Sequence, residues 1–351
     1  MSAGVAVPRT RSVSARLLST LISAVVFGVL YGLLIANSPI EATTYSVTNF
    51  FTLAAPLAIA AIGTSLVLIV GGFDLSVAGT ISLTNVLAAT VMDKHPNQVW
   101  FIVIALVLLG ALIGAINGAL VALLQLPSLG VTLSTNIVLG GIALAVLPAP
   151  GGSVPLNFAT DLTTSMGPLP VALLVLIVLG LLWTYFSRTR TGMAVYAVGG
   201  DAHGAQLSGI SVTRTTITVF TIAGALYGLA GVFFSALTAT GSPSSGSSFL
   251  LTAFAAAALG LVGFRGGAGS PIAAMLGAAT LTIIPKFLFA SGVADFWVGA
   301  FQGLIVLAAL SIPLLTALAS RRRARHQSGH DAGDPPPALV TSSQSAKGGA
   351  A

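Results

Sequence analysis

From position 95 to position 160 the sequence holds no Asp, Glu, Lys or Arg, and uncharged runs of the same kind fill 17–40, 42–73 and 215–264. A helix rising about 1.5 Å per residue crosses roughly 30 Å of hydrocarbon with about 20 such residues. Charged residues make up only 6% of the 351 positions and hydrophobic residues 55%, whereas a soluble domain carries about 25% charged residues. The chain is therefore expected to be an all-α integral membrane protein; a β-barrel would instead show alternating segments of about ten residues. It contains no cysteine, which excludes disulfides, thiolate metal sites and cysteine catalysis.

Ten apolar segments predict about ten transmembrane helices, at 17–36, 50–70, 76–92, 99–124, 130–147, 169–187, 214–238, 249–263, 270–289 and 295–318. The third and eighth are short and interrupted by glycine, so they are the ones expected to fall short of a full crossing. The first follows Arg9, Arg11 and Arg16 as a signal peptide would, but its length of about 20 residues exceeds the usual apolar core of such a peptide. It is read as an uncleaved span. Lys and Arg accumulate in cytoplasmic loops. A cytoplasmic N-terminus brings the loop with Arg188, Arg190 and Arg214, the loop with Arg265 and the "RRRARH" cluster to the same side. The opposite loops hold Lys94 beside Asp93, and the acidic Glu41, Asp161 and Asp295. The expected organisation is a cytoplasmic segment 1–16, a transmembrane domain 17–320 and a disordered cytoplasmic tail 321–351, too polar to build a core. The net charge of +6 then reflects orientation, with the tail arginines at an anionic lipid surface rather than on nucleic acid.

Gly110, Gly114 and Gly118 form two overlapping G-x-x-x-G units, and Gly28 with Gly32 and Gly224 with Gly228 form two more. Such spacing lets helix backbones approach closely. The polar residues within spans, Asn85, Asn117, Thr132, Thr135, Asn136, Lys286 and Gln302, are expected to face a bundle interior or a water-filled path; interhelical hydrogen bonding is the plainer of their two roles. Lys286 also lies near a segment end, from which it can snorkel to the interface. "GGFDLSVAGTISLTNVLAAT" and "GFRGGAGSPIAAMLGAAT" echo one another as a Gly-rich break followed by a small-residue helix, an arrangement found in transporters with broken helices.

The three lysines, Lys94, Lys286 and Lys347, follow Asp, Pro and Ala, so no phosphate-cradling G-x-x-x-x-G-K-[ST] exists and the chain is not its own ATPase by that route. Neither a G-x-S-x-G elbow nor H-E-x-x-H is present. Asp93 with His95 and Asp201 with His203 read as solvated loop residues rather than metal ligands, because neither pair comes with further donors. No catalytic residue is expected.

"VGGFDLSVAGTISLTNVLAAT" (70–90), "RTRTGMAVYAVGGDAHGAQLSGISVTRTTITVFTIAGALYGLAGV" (188–232) and "AAAALGLVGFRGGAGSPIAAMLGA" (255–278) resemble, in the same order, the three motifs of the permease subunits of ribose and simple-sugar ABC importers. The resemblance covers about residues 45–318. It implies a roughly ten-span bundle similar to the cobalamin-importer type, paired with a second permease around a central path. It further implies cytoplasmic ATPase partners carrying ATP and Mg, an extracytoplasmic solute-binding protein, and no cofactor on this chain. The setting is the bacterial cytoplasmic membrane. The solute is expected to be a sugar or sugar-like molecule, with a nucleoside or branched-chain amino acid as the alternative. A secondary transporter or channel is the reading from another class, and the scarcity of buried carboxylates argues against it.

Asp74 follows the Gly71–Gly72 break and precedes an apolar segment, the place where a carboxylate caps free helix N–H groups. A structural cap is favoured over direct contact with solute. The 199–210 loop, with Gly199, Gly200, Asp201, Ala205, Leu207 and Ser208, matches the family's coupling loop and is expected to dock a short helix on the ATPase, Ala205 and Gly209 supplying small contacts. Met193 stands where the family pattern has arginine, and Leu250 and Thr252 where it has an acidic pair. Opposite charges lost together fit either a non-identical partner permease that keeps them or a homodimer in which they are dispensable.

Overall fold

The computed structural model describes residues 10–294 together with 297, 299–301, 303–308 and 311. Most of the tenth apolar segment, with Asp295 and Gln302, and the whole 321–351 tail lie outside the described residues. Up to residue 294 the described residues form, in order, the α-helices α1 (Thr10–Asn37), α2 (Thr44–Val70), α3 (Val77–Lys94), α4 (Val99–Leu123), α5 (Ser128–Val146), α6 (Leu156–Thr163), then α7 (Val171–Phe186), α8 (Arg190–Gly200), α9 (Ala202–Leu207), α10 (Val212–Thr238), α11 (Ser247–Leu259) and α12 (Pro271–Ala290). Between α6 and α7 a two-residue antiparallel hairpin pairs β1 (Ser165–Met166) with β2 (Leu169–Pro170).

Each of the first nine apolar segments coincides with one helix. Six helices among the described residues are long and apolar enough to cross a membrane, or seven if α7 and α8, bent by 79° at their junction, are counted as one span. With α7 and α8 counted together, the two remaining shortfalls, α3 and α11, have physical causes. α3 is diluted by Thr80, Ser82, Thr84, Asn85, Asp93 and Lys94. α11, with 13 residues, reaches only about 20 Å.

α2 is the central rod. Of its most apolar window 89% is buried inside the protein, against 17% for α1 and for α5. The peripheral helices turn Leu17, Leu21, Val25, Phe101, Ile104, Leu108, Leu112 and Ile137 outward, each more than half exposed. A water-soluble monomer rarely shows such contiguous apolar surface; a multi-pass membrane protein presents it to lipid. α2 begins at Thr43, whose hydroxyl accepts from the Ser46 N–H, and stops at Gly71. There Gly71 N–H bonds to Leu68 O and Gly72 N–H to Val67 O, a Schellman ending that requires the left-handed φ of +93° adopted by Gly71.

α10 packs most extensively on α4, through glycine. A Cβ on Gly110 would strike Gly224 O, one on Gly114 would strike Phe220 O, and one on Gly228 would lie 2.8 Å from Leu106 O. The double G-x-x-x-G unit and the Gly224–Gly228 pair are thus the two sides of one seam. Gly28 and Gly32 meet nothing within 4 Å among the described residues.

The loops sort into two ends. Arg16, Arg188, Arg190, Arg214 and Arg265 share one end; Glu41, Asp93, Lys94 and Asp161 share the other. At the acidic end Lys286 Nζ pairs with Glu41 Oε2 at 2.7 Å, both mostly buried. Lys286 therefore has a fixed partner instead of snorkelling freely. From the same end, residues 239–246 enter the bundle as non-helical chain that ends in turns over 243–246: a Cβ on Gly241 would touch Ala89, one on Gly246 would touch Ala78 and Ser82. Their backbone groups are satisfied by α3, since Asn85 Nδ2 donates to Thr240 O (3.2 Å), Asn85 Oδ1 accepts from Ser242 N–H (2.7 Å) and Ser82 Oγ accepts from Gly246 N–H (2.9 Å). This explains the short α11. It starts at depth, after non-helical chain has covered the first part of the distance.

The seam predicts an asymmetry between glycines. Gly114→Ala should cost about 1–3 kcal/mol, the range for overpacking, because its Cβ meets backbone that cannot rotate away. Gly28→Ala should leave stability unchanged. Thermal unfolding midpoints of the purified protein in mild detergent measure both.

Candidate functional site

At the basic end three glycine-rich breaks meet. The first is the 71–76 segment between α2 and α3, where the chain leaves helix inside the bundle and exposes N–H groups that no water shell covers. Asp74 is buried, 1% exposed. Its Oδ1 accepts from Ser76 N–H (2.9 Å) and from Ser76 Oγ (2.6 Å). The position that borders α3 is Ser76, not Asp74. Leu75 and Ser76 already form a turn, and Asp74 seats that turn two residues ahead of the helix. Asp74 thus has a structural role, as expected, but it holds the turn before α3 and does not cap the helix itself, whose bordering Ser76 makes no side-chain cap.

Two further N–H groups of the break, and one in the first turn of α3, are taken by α5. Ser128 Oγ accepts from Phe73 N–H (3.1 Å), Thr132 Oγ1 from Leu75 N–H (3.0 Å) and Asn136 Oδ1 from Gly79 N–H (2.6 Å). A side-chain relay continues to α4: Thr135 Oγ1 donates to Asn117 Oδ1 (2.6 Å), and Asn117 Nδ2 donates to Ser76 Oγ (3.0 Å). Ser76 Oγ in turn donates to Asp74. Positions 128, 132, 135 and 136 fall on one helical face by their spacing, and that face is the one turned to the break. Asn117, Thr132, Thr135 and Asn136 are brought together here as bundle hydrogen-bonding residues. Ser76 and Ser128 belong to the same network and were not singled out from sequence; the signal for Ser128 was its place on the Thr132–Asn136 face.

The second and third breaks close over the first. Gly267 N–H donates to Ile69 O (2.8 Å), a carbonyl in the last turn of α2. A Cβ on Gly199 would collide with that same oxygen, and one on Gly266 would lie 2.5 Å from Gly199 O and 3.1 Å from Gly71 Cα. Tyr196 Oη donates to Gly269 O (3.0 Å). The Arg16 guanidinium sits over the Tyr196 ring, 3.2 Å from its centroid. Backbone thus meets backbone where α2 ends, α8 ends and the loop before α12 turns.

The residues of the 199–210 loop divide accordingly. Gly199 is in the junction. Gly200 is exposed beside it, and a Cβ on Gly267 would lie 2.7 Å from Gly200 Cα. Asp201 caps α9, its Oδ1 accepting from His203 N–H (3.1 Å). Ala205, expected to meet a partner, instead points into the protein, 6% exposed, because the short α9 lays one side on α8 and α10. Leu207 is the outward apolar side chain, 77% exposed, beside exposed Gln206 and Ser208. Met193, on α8, is also exposed, whereas Leu250 and Thr252 lie half-buried on α11.

The family model described as "Branched-chain amino acid transport system / permease component" matches residues 46–310. The chain is 32% identical over 317 residues to the autoinducer 2 import system permease protein of an Enterobacter species, covering 87% of this chain and 91% of that protein. It is 28% identical over 307 residues to the galactose/methyl galactoside import permease protein of Haemophilus influenzae, covering 82% and 91%. It is 29% identical over 285 residues to the ribose import permease protein of Escherichia coli, covering 78% and 88%. No solved structure matches it significantly.

The relay predicts coupling between residues 18 positions apart. Thr135→Val leaves the buried Asn117 carbonyl without a donor, a loss of about 1–3 kcal/mol. In a cycle with Asn117→Leu the two effects should be non-additive by about 0.5–3 kcal/mol. Equilibrium unfolding in detergent reads this; strict additivity would mean that the relay does not form.

Proposed function

The chain belongs to the branched-chain amino acid transport system / permease component family, and within it to the ribose and simple-sugar import permeases, and from that premise we propose that it is the membrane-spanning subunit of an ABC importer. It forms the translocation path for an uncharged sugar or sugar-like solute, handed over by an extracytoplasmic binding protein at the bacterial cytoplasmic membrane. ATP and Mg act on a partner ATPase, and this chain contributes no catalysis. The observation that carries this reading is the match along nearly the whole length of import permeases, running through all three glycine-rich breaks that meet at the basic end.

On this reading the basic end is cytoplasmic, with segment 1–16 and the 321–351 tail on that side and the transmembrane domain spanning 17–320. α3, α7 and α11 complete their crossings with the chain that flanks them, giving about ten spans in a bundle of the cobalamin-importer type. Two permeases pair around the path. A partner of different sequence would restore the charges that Met193, Leu250 and Thr252 replace; a homodimer would do without them. The α8–α9 element is the coupling surface for the ATPase, with Leu207 as its apolar contact and Gly199, Gly200 and Asp201 holding it to the break.

A branched-chain amino acid is the second reading, favoured by the description of the family model. A zwitterion would need matching charges, and the Lys286–Glu41 pair at the acidic end already satisfies itself.

Two measurements test the proposal. Leu207→Asp should reduce ATP-driven uptake at least tenfold with the permease still in the membrane; full uptake would remove α9 as the coupling contact. In the cysteine-free background, Ser153→Cys should react with an impermeant thiol reagent on intact cells and Ser208→Cys should not. The reverse labelling would invert the topology.

A further inference from the structure

At the acidic end, opposite the glycine junction, an open cavity of about 400 Å3 lies between the first turns of α2, the β1 hairpin and the last turns of α10. Its volume falls within the range of about 300–1,000 Å3 typical of small-molecule sites. No Asp, Glu, Lys, Arg or His lines it. The larger part of its wall is apolar, Ala236 and Leu237 included, and the polar groups set in it are hydroxyls and one side-chain amide. Thr48 and Thr52, one helical turn apart on α2, are buried and turn their hydroxyls to backbone oxygens, Thr48 Oγ1 to Thr44 O (2.7 Å) and Thr52 Oγ1 to Thr163 O (3.5 Å). Around them Tyr45, Asn49, Thr164 and Ser165 offer side chains that make no hydrogen bond to the described residues.

This is a distinctive set of groups. A free amide presents a donor and an acceptor together, and each hydroxyl can do either. Vicinal hydroxyls on a small ring need that mixture, because each must recover the hydrogen bonds lost on leaving water. Tyr45, 81% exposed at the rim, supplies an apolar ring body with a polar tip, suited to the C–H face of such a ring. A charged solute would meet no counter-charge. The cavity also lies at the start of α2, whose far end is the Asp74 break.

We propose that this cavity is the subsite at which the permease itself first holds its solute, an uncharged polyhydroxylated molecule of monosaccharide size. Asn49, Thr164 and Ser165 read its hydroxyls and Tyr45 covers its apolar face. The inference rests on the import reading above and adds the place and the residues of recognition.

The test uses the complete importer, expressed with the ATPase and binding protein encoded in its native context, and D-ribose, D-galactose and xylitol as labelled probes. For whichever probe the wild type imports, Asn49→Leu and Thr164→Val should each raise the KM for uptake at least fivefold and change the preference among the three probes. Leu156→Ser, on the same end but outside the cavity, should change neither. Wild-type KM and preference in both cavity variants would overturn the subsite while leaving the import reading standing. Weaker binding of the binding protein, with preference among the probes unaltered, would overturn it in favour of a docking face. A wild-type complex that imports none of the probes would overturn the import reading for such solutes and the subsite with it.

Discussion

Backbone N–H groups freed inside a bundle that excludes water are the constraint on which the rest of this structure depends. Each unpaired group at membrane depth costs several kcal/mol, yet the chain leaves helical geometry there twice, at 71–76 and at 239–246. Both departures are held by side chains of a neighbouring helix. α5 reaches the first with Ser128, Thr132 and Asn136, and α3 reaches the second with Ser82 and Asn85. The few polar residues of the spans are therefore concentrated where regular structure fails.

Small residues make this possible. Hydrogen bonds of 2.6–3.1 Å, in which backbone N–H groups of the break and of α3 donate to side-chain oxygens on α5, require the two stretches of chain to be close, and side chains of ordinary size would hold them apart. A Cβ on Gly79 would lie 2.8 Å from Asn136 O and 2.9 Å from Leu139 Cβ, so the same contact that brings Asn136 within reach of Gly79 N–H forbids a side chain there. The Gly110–Gly118 seam does the equivalent for α4 and α10, and it sets the position from which Asn117 joins the relay to Asp74.

Much of this was legible in the sequence, and the limit has a physical form. The 3.6-residue period shows which residues share a face, so the α5 stripe and the glycine faces of α4 and α10 could be read directly. Gly71 as a helix stop was legible because few other residues tolerate its φ. Periodicity does not say what a face meets. Asn85 could be placed inside the bundle, but not on the 239–246 segment, since a non-helical stretch of small and polar residues has no apolar periodicity. Ala205 was misplaced for a related reason. A six-residue helix is too short for its buried side to stand out, and the inward alanine and outward Leu207 contradict the usual apolar-inside pattern. The outer cavity was invisible because its residues come from three separate stretches, each unremarkable alone.

The glycine junction has a mechanical consequence that side-chain contacts would not have. Side chains change rotamer and absorb small displacements, whereas backbone against backbone transmits them, as close-packed interiors do in general. Here the end of α8 touches the last carbonyls of α2 and the turn before α12 without an intervening side chain, and Gly267 is hydrogen-bonded to Ile69 O. Displacing α8 and α9 therefore acts on the 71–76 break, where α2 hands over to α3. Asp74 and the relay through Ser76, Asn117 and Thr135 connect that point to α4 and α5. Under the proposed coupling role, a push on the exposed surface of α9 would pass through these contacts to α2, α3, α4 and α5, which is what a subunit needs if the energy for its motion arrives from another chain.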